Sequence, residues 1–335
     1  MNKILTVVVP TYNMQAYLEQ CLDSFIFEGM EEIEVLIVND GSKDNSASIA
    51  QKYVDKHPKV FKLLNKENGG HGSTINSGIK LATGKYFKVV DADDWVSTEN
   101  LAKLINFLNT TDVDIVYNTY FEQRMESGTT YHVQKMDLEP EQVFDYREVL
   151  NRYMLVMHKI TIKTSILRDN NITLSENSFY VDAQYVVFPI SFIKTGCFLP
   201  YPIYNYRLER KDQSMSPEKV FKLFHQREHV FLSIIESIES NKNQLGDSYK
   251  KIATAVSSYI AYFYGSVFAY YETKQQLKML KELHKKIKTE HPSFYKCIKF
   301  PKRIKFIIFL RFHFIKPLRF IQGLFVKDVR KIKHK

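Results

Sequence analysis

The stretch Tyr86-Phe87-Lys88-Val89-Val90-Asp91-Ala92-Asp93-Asp94-Trp95 decides the fold. Its first half reads as a buried strand, and its second half sets three carboxylates within four residues directly behind that strand. In an open parallel sheet, ligands bind beyond the carboxyl ends of the strands, so acidic residues at that position suggest chemistry. Hard divalent cations take oxygen ligands, which makes Asp91, Asp93 and Asp94 candidate ligands for Mg or Mn. The same residues also read as a solvated acidic turn entering a helix capped by Ser97 or Thr98.

On either side of this stretch, apolar runs of strand length alternate with helical spacing, the pattern of a sheet covered by helices. Strands are expected at Leu5–Val9, Ile33–Val38, Val60–Leu64, Tyr86–Val90 and Ile115–Tyr120. Helices are expected at Met14–Phe27, Ser46–Tyr53, Thr74–Ala82 and Glu99–Leu108, where apolar residues recur on one face. Residues 121–215 are mixed. Beyond Ser216 the spacing is helical through Val220, Leu223, Phe224, Val230, Phe231, Ile234, Ile235 and Ile238, and again over 248–271 and 274–290.

With 335 residues, 44% of them hydrophobic, the chain can bury a sizeable core. Cys21, Cys197 and Cys297 are odd in number and far apart, which argues against a disulfide framework or zinc site and for a reducing compartment. No signal peptide is expected in a chain whose first residues run straight into a strand. No transmembrane helix is expected either, since apolar runs such as Phe306–Leu310 fall far short of a bilayer's thickness. The net charge of +10 is local. Residues 299–335 hold 12 of the 47 basic residues and one of the 37 acidic ones, leaving 35 and 36 elsewhere.

Four loops occur in order: Val7-Val8-Val9-Pro10-Thr11-Tyr12-Asn13, Val35 to Asp44 with Asn39-Asp40-Gly41-Ser42 at its centre, Asn68-Gly69-Gly70, and the acidic loop. As a set they resemble the family 2 glycosyltransferases of the GT-A fold, closely over the first 120 residues and more loosely to Ser216. The resemblance implies an α/β fold: a Rossmann-like GT-A nucleotide-sugar-binding domain with a mostly parallel mixed sheet and flanking helices, followed by a C-terminal helical region. Its expected division is 1–215 for the transferase domain (1–120 the nucleotide-binding half, 121–215 the acceptor and closing half), 216–298 for the helical region, and 299–335 for a basic-apolar tail.

The resemblance also implies roles. Pro10, Thr11 and Tyr12 would line the base pocket and Asp40 would accept from the base. Uracil is favoured, although a guanine N–H fits the same rule. Asn68, Gly70, Asn76, Asp91 and Ala92 would contact the donor, the glycine segment offering backbone N–H groups to phosphate at a helix start. Many family members carry Arg before Asn where this chain has Ile75 before Asn76, so the diphosphate's counter-charge falls to the metal, Lys66 or another cation. Phe179-Tyr180-Val181-Asp182-Ala183-Gln184-Tyr185 resembles the segment carrying the catalytic base, with Asp182 in that role and Val181 where Glu is common. Asp182 as a plain helix cap is the alternative. Pro202 to Arg207 and Arg210 to Ser214 resemble the strand and flexible loop that close over the donor, with Arg207 and Arg210 facing phosphate or solvent. His158 reads as a structural histidine, with an acceptor-side position as the other option.

The implied activity is an inverting, metal-dependent transfer of a sugar from a UDP-sugar to a glycan or lipid-linked glycan in cell-surface polysaccharide synthesis. In the tail, aromatic and aliphatic residues are interleaved with cations, a mixture suited to an anionic membrane surface. It is too apolar for a solvated nucleic-acid arm, so no nucleic-acid partner is expected. The protein would then lie in the cytoplasm, peripheral at the inner face of the membrane. Two other readings remain: a nucleotidyltransferase, whose glycine- and arginine-rich first loop is missing after Val9, and a degenerate nucleotide-binding assembly subunit, suggested by Ile75 and Val181.

Overall fold

The structure is a computed structural model and describes residues 3–133, 137–149, 156–208, 221–270 and 273–309. It divides into two compact units, Met1–Tyr146 with Leu155–Gln213, and Arg147–Met154 with Ser214–Lys335.

The first unit is built on a ten-stranded mixed sheet. Its strands are β1 (Leu5–Thr11), β2 (Ile33–Asp40), β3 (Phe61–Lys66), β4 (Tyr86–Val89), β5 (Trp95–Val96), β6 (Ile115–Arg124), β7 (Thr129–Val133), β8 (Val143–Asp145), β9 (Ile160–Lys163) and β10 (Thr195–Leu208). The order along the sheet is β3-β2-β1-β4-β9-β6-β10-β5, with β7 on β6 and β8 on β10. β1 and β2 are buried along their whole length, as continuous β-branched runs in a covered parallel sheet require. Parallel register pairs Thr11 with Asn39, Asp40 with Lys66, and Val8 with Val89. The loops after β1, β2, β3 and β4 therefore leave the sheet at one end. β9 runs antiparallel to both β4 and β6, and it reverses the sheet's direction there.

Helices α1 (Leu18–Asp23), α2 (Ser46–Lys56), α3 (Gly70–Leu81), α4 (Thr98–Thr110), α5 (Thr164–Asp169) and α6 (Asp182–Val187) accompany these strands. α4 buries Leu101, Leu104, Ile105 and Leu108 at helical spacing, each worth about 1.5–3 kcal/mol if fully buried. Its N-cap is Ser97, whose side chain accepts from Asn100 N–H. The helix expected over Met14–Phe27 spans six residues, and ahead of it the Asn13, Met14 and Gln15 amides donate to Ser42, Ser46 and Asp44 side chains. In the opposite direction, the helix expected from Thr74 starts at Gly70, and the strand expected to end at Tyr120 continues to Arg124 as β6 pairs with β7.

The second unit holds α7 (Phe224–Ser240), α8 (Tyr249–Tyr270), α9 (Lys274–Glu290) and α10 (Lys302–Phe309). Phe224 and Phe231 pack on Phe263, while Tyr264 packs on Phe300. Among the described residues one stretch, Lys242–Tyr270, is long and apolar enough to cross a membrane by length and composition. Gly246, at φ 51°, separates its first turn from α8, and 72% of its most apolar window is buried within the fold. Arg210 and residues 310–335 of the tail lie outside the described residues.

Candidate active site

The four loops expected from the sequence meet at the carboxyl end of β1 to β4. Asp40, 2% exposed at the end of β2, ties the second loop to the third, while Asn13 ties the first to the second through Ser42 and Lys43. One carboxylate oxygen accepts from Lys66 Nζ at 2.8 Å and Gly69 N–H at 2.9 Å, and the other accepts from Gly70 N–H at 2.8 Å. Asn68 Nδ2 adds a bond to the Asp40 carbonyl. Asp40 thus shapes the glycine segment from below. Lys66 spends its donors on Asp40, the Glu67 carbonyl and Ser73 Oγ, so it serves that segment as well. Pro10 and Thr11 are buried, whereas Tyr12 is 47% exposed at the rim.

The acidic loop turns tightly, with Asp94 N–H donating to the Asp91 carbonyl at 2.9 Å. Ala92 is buried in the core beneath it. Asp94 is 1% exposed and accepts from the Tyr204 hydroxyl at 2.5 Å and from Arg207 N–H at 2.7 Å. Burial, followed by the charges of Asp93 and Asp91, raises its carboxyl well above the usual range despite those two bonds. The Tyr204 hydroxyl also accepts from Asp91 N–H, and β10 thereby clamps both ends of the loop. Arg207 completes the clamp from between Tyr17 and Trp95: its Nε donates to the Asp93 carbonyl at 2.7 Å and its Nη2 to Gln20.

Among the described residues, Asp91, Asp94 and His158 offer ligand atoms within 4.8 Å of one another. This set overlaps the expected Asp91, Asp93 and Asp94 but brings in a histidine from far along the chain. Oxygen and imidazole donors at that spacing fit a divalent cation of the Mg or Mn kind. His158 is held from behind: its carbonyl accepts from Lys88 Nζ at 3.2 Å and Asn118 Nδ2 at 3.3 Å, and its ring stacks on Tyr206 at 4.4 Å and leans on Tyr204 at 4.5 Å. Lys88 is fully buried in β4, and burial lowers its pKa to about 7. The sequence shows a lysine in an otherwise apolar strand, but not that its Nζ faces the His158 carbonyl.

His71, in the glycine segment, was given no role from sequence. Its Nε2 lies 2.8 Å from Asp91 Oδ1. Burial pulls its pKa down, but the charge and hydrogen bond of Asp91, followed by Asp182 and Asp93, leave it above the usual histidine value. Asp182 therefore stands within electrostatic reach of the acidic loop. It is the first residue of α6 and exposed, and the N-cap position falls on Val181. Tyr206 feels those three carboxylates and Asp94: burial, then Asp94, Asp91, Asp93 and Asp182, raise its hydroxyl well above the usual value.

Asn76, expected at the donor, and Ile75 and Val181, the two departures from the family pattern, have partners within the fold. Asn76 bonds the backbone of Leu174 through both ends of its amide. Ile75 and Val181, at 0% and 1% exposure, are core residues, so neither position supplies a charge.

Comparison with known proteins agrees with this architecture. The family profile described as Glycosyl transferase family 2 matches residues 6–174. Bacillus subtilis EpsJ, an uncharacterized glycosyltransferase, is 33% identical over 38% of this chain and 37% of its own length. B. subtilis EpsH, a putative glycosyltransferase, is 25% identical over 75% of this chain and 74% of its own. The chain thus spans little more than a third of the first relative. Among solved structures, S. aureus TarS 1-349 in complex with UDP-GlcNAc superposes with a TM-score of 0.66 at 20% identity, over 98% of this chain and 90% of that one.

Proposed function

This chain belongs to glycosyl transferase family 2, and from that membership we propose that it moves a sugar, with inversion, from a UDP-sugar to a glycan or lipid-linked glycan during cell-surface polysaccharide synthesis. The observation that carries this reading is the meeting of the loops: Asp40 on Gly69 and Gly70, His71 on Asp91, and Asp182 close enough for its charge to act on His71. The UDP-GlcNAc bound by TarS supports uridine as the donor base. In this reading Pro10, Thr11 and Tyr12 flank the base, and the amides of the glycine segment face the diphosphate.

Asp91 and Asp94 with His158, and Asp93 beside them, would hold a divalent cation, which when bound neutralises charge on the departing diphosphate. Asp182 takes the proton of the acceptor hydroxyl as that oxygen bonds to the anomeric carbon and the bond to the diphosphate oxygen breaks. The Tyr204 and Arg207 clamp fixes the acidic loop beforehand, so the loop spends no free energy on rearranging during the reaction.

The described start of the tail supports attachment to an anionic membrane surface at the cytoplasmic face. On α10, Phe306 and Phe309 are 60% and 80% exposed beside exposed Lys302, Arg303 and Lys305, while Ile304 and Ile307 are buried. Cations next to exposed rings match an interface of headgroups and acyl chains.

The test is UDP release from a panel of UDP-sugars supplied with a lipid-linked glycan acceptor, run with Mn and with EDTA. Acceptor-dependent release that needs Mn and disappears in Asp182→Asn is the expected result. Tight UDP binding with no release from any donor would instead favour the assembly-subunit reading, which draws on the buried Ile75 and Val181.

A further inference from the structure

We propose that Asn76 is a positioning residue that locks the donor-side glycine segment to the loop leading into α6, so that the two move as one body. The functional consequence rests on the assignment of Asp182 as base.

Asn76 sits on α3, one turn beyond the glycine segment. Its side-chain amide mimics a peptide: Oδ1 accepts from Leu174 N–H at 2.8 Å and Nδ2 donates to the Leu174 carbonyl at 3.0 Å, with a further bond to Glu176 Oε1 at 3.3 Å. Two opposed bonds to one residue's backbone fix both distance and orientation, as a pair in a sheet ladder does. They join positions 98 residues apart.

Backbone meets backbone beside this clasp. Asn177 N–H donates to the Gly69 carbonyl at 2.6 Å. A Cβ at Gly72 would lie 2.1 Å from the Ser175 carbonyl oxygen, so the approach depends on glycine. On its other side the same loop is gripped by Gln184, which is 1% exposed; its Oε1 accepts from Ser175 N–H and its Nε2 donates to Ser175 Oγ, both at 2.8 Å. Gln184 lies two residues after Asp182 in α6.

A continuous path thus runs from Asp40 through Gly69 and Gly70, along α3 to Asn76, across Leu174–Asn177, and through Gln184 to Asp182. The loop it crosses is under strain. Asn177 and Tyr180 occupy left-handed backbone at φ 51° and 68°, conformations that persist only where neighbours enforce them. Without the clasp, the segment can relax toward ordinary backbone and carry Asp182 away from the acceptor.

Hydrogen exchange of the full chain, with and without UDP and Mn, tests this. In the wild type, UDP should slow exchange across residues 174–185. In Asn76→Ala that protection should vanish while the UDP dissociation constant stays within about twofold and kcat falls about tenfold, with donor KM unchanged. Asn76→Asp, which keeps the acceptor for Leu174 N–H, should recover part of the protection and of kcat. Gln184→Ala reads the same segment from the other side and substitutes should Asn76→Ala fail to fold. Unaltered protection in both alanine variants, or UDP affinity falling in step with kcat, would overturn the proposal. A parallel Asp182→Asn variant with wild-type kcat would sink the base assignment alone, because exchange still decides the clasp.

Discussion

Asp94 accepts from the Tyr204 hydroxyl with one oxygen and from the Arg207 amide with the other, in a site 1% exposed to solvent. An amide has a donor where the carboxylate has its second acceptor. Asp94→Asn must therefore leave one of those partners facing an N–H, and should cost about 1–3 kcal/mol of stability, read as a lower denaturant midpoint. Asp182 is the opposite case: exposed at the start of α6, it has little to contribute to the core. Asp182→Asn should lower kcat about 10²–10⁴-fold and leave UDP affinity and thermal midpoint near the wild type, as kinetics, calorimetry and melting would show. The sequence showed which residues are acidic, but not how they divide the work, because burial of Asp94 depends on Tyr204 and Arg207 more than a hundred positions away. His158 and His71 were hidden for the same reason. Each is an ordinary histidine until the fold sets it against Asp91.

Local elements were most legible where one interaction dominates. The strands β1, β2 and β4 follow from largely apolar runs, interrupted by Glu34 in β2 and Lys88 in β4, and α4 follows from its leucine spacing and Ser97. Legibility failed where distant side chains hold a loop, as at Asn13–Gln15, whose amides donate to Ser42, Ser46 and Asp44. The packing of α3 against Leu174–Asn177 was equally out of reach, since a glycine's need for close approach shows only once the facing backbone is known. Gly72→Ala should force that backbone apart and destabilise the first unit by about 1–3 kcal/mol, with faster exchange over 174–181 as its local mark. In the second unit, His284 accepts and donates between the Tyr264 and Tyr295 hydroxyls, each 3.2 Å away. Burial, with Lys288 adding to it, lowers its pKa from 6.5 to about 4. Between those values the unfolded chain holds the proton and the folded chain does not, so stability is lost as pH falls through that window. His284→Gln should flatten the difference in thermal midpoint between pH 7 and pH 4.5; an unchanged difference would rule this histidine out as its source.

Across the whole molecule, charge and chemistry are segregated. Nearly all net positive charge lies in the tail, whereas Asp91, Asp93 and Asp94 gather just beyond β4. Phe306→Ser with Phe309→Ser should weaken sedimentation with anionic vesicles more than tenfold, since each ring buried in lipid contributes about 1.5–3 kcal/mol, and salt should weaken wild-type binding further. Equal sedimentation of the double variant would remove α10 from the attachment. The central claim concerns the acidic loop clamped by β10, which receives a nucleotide diphosphate through a divalent cation. Calorimetric titration of UDP into the full chain, in Mn and in EDTA, tests it most directly. Binding should be at least about tenfold tighter in Mn, and Asp91→Asn should abolish the difference; equal affinity in both buffers, or an Asp91→Asn variant that still responds to Mn, would contradict it.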